Sequence, residues 1–147
     1  MRDFLDISNR DELVRIVPED ILYIESDKNY SDVHLIWGEI RTFALQLGEM
    51  EELIENKLPE SGCNFLRIGK KLIINGIYLS KLKPREQLVL LMDRDGKYYS
   101  LVAACEAVRE LKNYLDGKKH IRKIFKKKKK AETESETEKQ TEESSEA

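Results

Sequence analysis

Phe65-Leu66-Arg67-Ile68 and Leu72-Ile73-Ile74-Asn75 are two apolar, β-rich runs separated only by Gly69-Lys70-Lys71, and the chain continues Gly76-Ile77-Tyr78-Leu79-Ser80-Lys81-Leu82. Strand formers on both sides of a three-residue step are the pattern of a tight β-hairpin. Glycine in the step supplies a backbone conformation that other residues reach only at a cost. The two lysines are thereby turned outward from an otherwise buried segment. A strand pair with positive charge at its turn suits a surface that grips phosphate, and it equally suits a turn that only keeps the protein in solution.

The same alternation of strand and turn extends on either side. Glu12 to Val17 reads as a strand stopped by Pro18, and Ile21-Leu22-Tyr23-Ile24 as a second. Ser26 to Asn29 is turn chemistry, because Asn and Asp side chains satisfy nearby backbone groups. Tyr30 to Trp37 resumes a strand with Val33, Leu35 and Trp37 on one face, and Gly38-Glu39 turns it into Ile40 to Phe43. From Leu47 the apolar period becomes helical: Leu47, Met50, Ile54 and Leu58 form a stripe, with Glu49, Glu51, Glu52 and Glu55 on the solvated side. Ile77 to Leu82 reads as a strand. Leu88 to Met92 is continuously apolar, which suggests burial on both faces, and Asp93-Arg94-Asp95-Gly96 turns it back into Lys97 to Val102. A last helix is expected from Ala103 to Leu115, stopped by Gly117.

Charge divides the 147 residues further. Residues 1–117 carry 16 basic and 21 acidic side chains, a net of −5. Residues 118–130 carry 9 basic and no acidic ones, and residues 131–147 carry 1 basic and 7 acidic ones. The near-neutral total therefore hides a segregated pattern. The domain reading is a folded unit over 8–116, a polybasic segment over 117–130 and an acidic, disordered tail over 131–147. A nucleic-acid binder usually advertises a basic domain, and the folded part does not.

Catalytic chemistry is thin. His34 and His120 are the only histidines, and His34 reads as a packed or surface strand residue. Cys63 and Cys105 lack metal-ligand spacing and fit a reducing cytoplasm. Gly62 and Gly69 lack the spacing and the following Lys-Ser/Thr of a phosphate loop. Asp93-Arg94-Asp95-Gly96 lacks the later acidic positions of a calcium loop. The expectation is a non-enzymatic protein without cofactor or metal. No apolar run reaches the length of a membrane span, and the N-terminus lacks the apolar core of a signal peptide.

The ordered set Asp20-Ile21-Leu22-Tyr23-Ile24-Glu25, Asn29-Tyr30, a hairpin, Leu47-Gly48-Glu49-Met50-Glu51-Glu52-Leu53, Phe65-Leu66-Arg67-Ile68 and Ile73-Ile74-Asn75 resembles the LytTR-type DNA-binding domain of bacterial transcription regulators. The resemblance runs from about Val14 to Leu115. It implies a mostly β fold with two helices, an elongated antiparallel β-sandwich that inserts loops rather than a recognition helix into the grooves of double-stranded DNA. It also implies a contact loop at Lys28, Asn29 and Tyr30. The same three residues read equally well as an Asn-stabilised turn with Tyr30 as its lid. A second implied contact is Arg67, Lys70 and Lys71. Relatives often carry Ser and a basic residue where the last strand meets the last helix, but here Val102-Ala103-Ala104-Cys105 offers no comparable group, and no contact is assigned there.

Two functions follow as expectations. One is a freestanding, sequence-specific transcription regulator without a receiver domain, acting in the cytoplasm on double-stranded DNA. A second copy on paired repeats and a signalling partner protein are its further candidate partners. The other is a LytTR-like protein-interaction module that has lost specific DNA binding, a reading motivated by the net −5 and the missing third contact.

Overall fold

The computed structural model describes residues 3–59 and 61–117. The chain divides into two compact units, residues 1–109 and 110–147. Most of the expected polybasic segment and the whole acidic segment lie outside the described residues.

The first unit is mostly β, and its strands pair antiparallel in three sheets. β1 (Leu5–Ser8) pairs with β2 (Leu13–Ile16). β3 (Ile21–Asp27), β4 (Tyr30–Leu35), β5 (Ile40–Phe43), β6 (Phe65–Ile68) and β7 (Leu72–Asn75) form the central sheet in the order β5-β4-β3-β7-β6. β8 (Leu79–Lys83), β9 (Leu88–Met92) and β10 (Tyr98–Val102) form the third. Helix α1 (Leu47–Lys57) lies between β5 and β6, and α2 (Cys105–Leu115) follows β10.

Strand alternation explains how this sheet takes cover on two sides. Ile24, Val33 and Ile73 are cross-strand neighbours on one face. They join one buried cluster with Leu5 and Ile16 from β1-β2 and with Leu47, Met50, Ile54 and Leu58 of the α1 stripe. Leu72 and Ile74 alternate with Ile73 and are also buried, so β7 is covered on both faces. Ile68 shares the second face with them; in the third sheet and α2, Val89, Leu91 and Val108 are also buried.

A polar clamp fixes the start of β3 against the end of β7. The Asn75 side chain is buried, and its Nδ2 donates to the carbonyls of Pro18 (3.2 Å) and Ile21 (2.9 Å), while its Oδ1 accepts from the Ile77 amide at 3.3 Å. The Tyr78 hydroxyl donates to the Glu19 carbonyl. Gly76 is required by space, since a Cβ there would stand 2.7 Å from the Asn64 carbonyl oxygen.

Several local expectations are corrected. The packed chain starts before residue 8: Leu5 and Ile7 of β1 are buried, and Arg15 pairs with Asp6 across β1-β2 (2.8 Å). Two inward residues are too few to signal a strand by periodicity. Trp37 leaves the strand after Leu35 and is 56% exposed in the β4–β5 turn, where its Nε1 donates to Glu39. Ile77 belongs to a 3-10 turn, Gly76–Tyr78, before β8 begins. β9 buries Val89 and Leu91, but Leu88 and Leu90 are only partly covered and Met92 is exposed, so its run is one-sided. α2 begins at Cys105 rather than Ala103.

In the second unit, the end of α2 carries a Lys112–Asp116 ion pair at 3.2 Å. The Gly117 amide donates to the Tyr114 carbonyl, and Gly117 has φ +80°, the left-handed stop that its position suggests.

Candidate nucleic-acid interface

The central sheet is laid out so that its hairpin tips collect at one end. β3 and β4 are joined through Lys28 and Asn29, with Asp27 and Tyr30 as the closing pair. Lys28 adopts φ +60°, a conformation that favours glycine, and its side chain is directed to solvent at the tip. Tyr30 is 49% exposed. Below the tip, buried Ser31 donates its hydroxyl to the Leu45 carbonyl (2.7 Å), and Gln46 Nε2 approaches Asn29 Oδ1 at 3.4 Å. Gln46 is also the N-cap of α1: its amide donates to Glu49 Oε1 at 2.8 Å in a capping box. The start of α1 is thus tied to the β3–β4 tip.

β6 and β7 are joined by the turn Gly69-Lys70-Lys71, as the hairpin pattern implies. The Ser26 amide donates to the Lys71 carbonyl (2.9 Å), which sets this tip directly beside the β3–β4 tip. Gly69 has φ +61°, and a Cβ on it would meet the Ala107 Cβ of α2 at 3.5 Å. Lys70 and Lys71 are exposed.

Arg67 behaves differently from the other candidates. Its side chain is 11% exposed, and Nη1 lies 2.6 Å from Glu51 Oε1 on α1. Nε donates to the Gly69 carbonyl at 2.9 Å, and Nη2 lies 3.5 Å from the Lys70 carbonyl. The planar fork of the guanidinium suits this simultaneous engagement of a carboxylate and turn carbonyls. Arg67 fixes the turn from below while the two lysines project from it. Helical periodicity placed Glu51 on the solvated side, yet it is only 16% exposed.

Sequence reasoning missed a further tip at this end. β8 and β9 are joined by Pro84-Arg85-Glu86-Gln87, and the Gln87 carbonyl accepts from the Ala103 amide at 3.0 Å. Gln87 is left-handed, with φ +59°. Ala103 leads into α2, whose first turn meets Gly69 through Ala107, so the β8–β9 turn adjoins the same edge. The signal in the sequence was Lys83-Pro84-Arg85, basic residues around a strand-terminating proline.

The turns at the opposite end are richer in acid. Glu19 and Asp20, Glu39, and Asp93 and Asp95 lie in them, with Arg94, Lys97 and neighbouring Arg41 as the cations. The Asp93 carboxylate is an internal cap: Oδ1 accepts from the amides of Asp95 (2.9 Å) and Lys97 (3.0 Å), and Oδ2 from the Tyr99 hydroxyl (3.0 Å). The Lys97 amide foremost, then the Tyr99 hydroxyl and the Asp95 amide, hold its carboxyl below the ordinary aspartate range. His34 stacks on Tyr23 with ring centroids 4.1 Å apart and lies 3.4 Å from Glu25. Burial raises the Tyr23 hydroxyl above its ordinary range. Cys105 is a partly exposed free thiol at the start of α2. Among the described residues, no three His, Cys, Asp or Glu side chains converge as a metal would need. No helix among them is long and apolar enough to cross a membrane.

An antiparallel β scaffold with two helices presents loop tips rather than a helix at this edge. The family model of the LytTr DNA-binding domain matches residues 11–116, and the chain belongs to that family. Among solved structures it is similar to the LytTr DNA-binding domain assigned to a methyl-accepting/DNA response regulator from Bacillus cereus, at 17% identity and a TM-score of 0.54. The alignment covers 78% of this chain and 98% of that one, and at this identity the likeness is one of fold. No curated protein matches.

Proposed function

We propose that this protein is a sequence-specific regulator of transcription that binds double-stranded DNA through the shared end of its hairpins. The observation that carries the reading is the Ser26–Lys71 hydrogen bond, which joins the two tips bearing Lys28, Asn29, Tyr30, Lys70 and Lys71 into one surface. Lysines neutralise phosphates without reading sequence, whereas amide and phenol groups discriminate base edges. Lys28, Lys70 and Lys71 therefore supply grip, and Asn29 and Tyr30 supply part of the specificity. Arg67 acts one step back, holding the turn that presents Lys70 and Lys71. A net charge of −5 over residues 1–117 does not oppose this reading, because fields within a Debye length of about 8–10 Å are set by local charge.

Selection of the full chain against random duplexes tests the proposal. Enrichment of a motif, repeated at a spacing of about one helical turn if two copies bind together, is the expected result. Charge-driven binding without enrichment would turn the reading towards the second function, a protein-interaction module. One feature favours that alternative: β8–β10 leave Met92, Tyr98 and Val102 exposed on one face, Val102 by 73%.

A further inference from the structure

The strand-to-helix junction at Ala103-Ala104 has no side chain able to hold a phosphate, but the turn hydrogen-bonded to it does. We propose that Lys83 and Arg85 of the β8–β9 turn form a third DNA-backbone contact, extending the basic edge begun by Lys28, Lys70 and Lys71. This inference rests on the DNA-binding reading.

Three observations support it. First, the turn is fixed in place: Gln87 donates its amide to the Pro84 carbonyl and accepts at its own carbonyl from Ala103, each at 3.0 Å. α2 then begins at Cys105, and its Ala107 reaches the Gly69 turn. The Lys70-Lys71 and Lys83-Arg85 segments therefore flank the same first turn of α2. Second, both cations are exposed and have no carboxylate partner among the described ion pairs. Pro84 fixes the backbone between them. Lys83 stands opposite Leu88 in the sheet register, so its position at the end of β8 is set by the strand pairing. Third, Gln87 keeps a left-handed backbone that glycine would hold more cheaply. Such strain persists where surrounding structure fixes the loop. Glu86 is the one acid within the turn, and it gives the test an opposite sign.

The test uses the full chain and the duplex it enriches, with affinity measured across a salt series. Each lost phosphate contact lowers the magnitude of the slope of log K against log salt by about one. Lys83→Gln with Arg85→Gln should lower it by about two, and each single substitution by about one. The loss of affinity should be even across sequences, leaving the preferred motif unchanged. Glu86→Gln should tighten binding at low salt. Lys97→Gln, in the turn at the opposite end, should leave the slope unchanged. Both basic residues are exposed, so an unchanged unfolding midpoint should accompany the double substitution, and the single variants repeat the reading if it does not. Equal slopes in wild type and all basic-turn variants would overturn this contact while leaving DNA binding intact. A wild-type chain that binds no duplex would overturn the DNA reading and this contact together.

Discussion

Arg67 and Glu51 meet at 2.6 Å between the central sheet and α1, and both side chains are largely withdrawn from water. The same guanidinium holds the Gly69 carbonyl. The pair thus links a helix that packs in the core to a turn that presents two lysines. Glu51→Gln separates bracing from simple charge. Removing a carboxylate near the proposed DNA surface should strengthen association if only the field mattered. Bracing predicts the opposite, a several-fold weaker complex together with a loss of about 1–3 kcal/mol in stability, because the arginine loses a charge-assisted partner. Denaturant unfolding and binding titrations on the same variant distinguish the two.

Asn75→Ala should be more damaging to the fold than to the surface. Its amide bonds two backbone carbonyls and caps the Gly76–Tyr78 turn, all at the end of the sheet away from the lysines. Leaving a buried acceptor unsatisfied costs about 1–3 kcal/mol. The expected outcome is a clearly lower unfolding midpoint with specific DNA affinity intact wherever the variant is folded.

What could be read beforehand follows from how local each signal is. The β6–β7 hairpin, the α1 stripe and the Asp93–Gly96 turn were legible because their determinants lie within a few residues: a glycine step, a 3.6-residue period and an Asp-Gly pair. β1 was not legible, since Leu5 and Ile7 acquire meaning only through pairing with Ile16 and Val14 of β2. The face of Glu51 was misjudged for a similar reason. Period alone assigned it to water, and a guanidinium 16 residues away recruited it. Of the surface, the exposed lysines at 28, 70 and 71 could be named from sequence. Their adjacency could not, because it depends on the pairing of β3 with β7.

The Asp93 carboxyl makes acid stability a measurable property of the distal turn. Its folded value is depressed, so its stabilisation is fully present above the unfolded aspartate range of about 4 and is lost as pH falls through the folded value. Asp93→Asn should lower the midpoint at neutral pH and flatten its decline as pH falls below about 4. Thermal unfolding in a pH series reads both effects. DNA binding at neutral pH should not change.

Lys70 tests which kind of contact the β6–β7 tip makes. Lys70→Ala should weaken the preferred duplex by roughly 1–3 kcal/mol, with relaxed preference at one position, if the amine reaches a base edge. If it reaches only phosphate, affinity falls evenly across sequences and the salt slope flattens by about one. A variant unchanged in both respects would remove Lys70 from the interface.

Lys28 offers the sharpest separation of function from stability. A side chain at φ +60° costs about 1–2 kcal/mol relative to the right-handed region, and glycine avoids most of that cost while losing somewhat more entropy on folding. Lys28→Gly should therefore leave stability unchanged or raise it by up to about 1 kcal/mol, although it deletes an ordered residue's side chain. If the strain is retained because the ammonium group serves the DNA surface, the same substitution should weaken binding and reduce the salt slope by about one. Lys28→Asn, which tolerates the left-handed region, should reproduce the stability and the binding loss together. Weaker folding with unchanged binding would show that Lys28 is a turn residue without a part in DNA recognition.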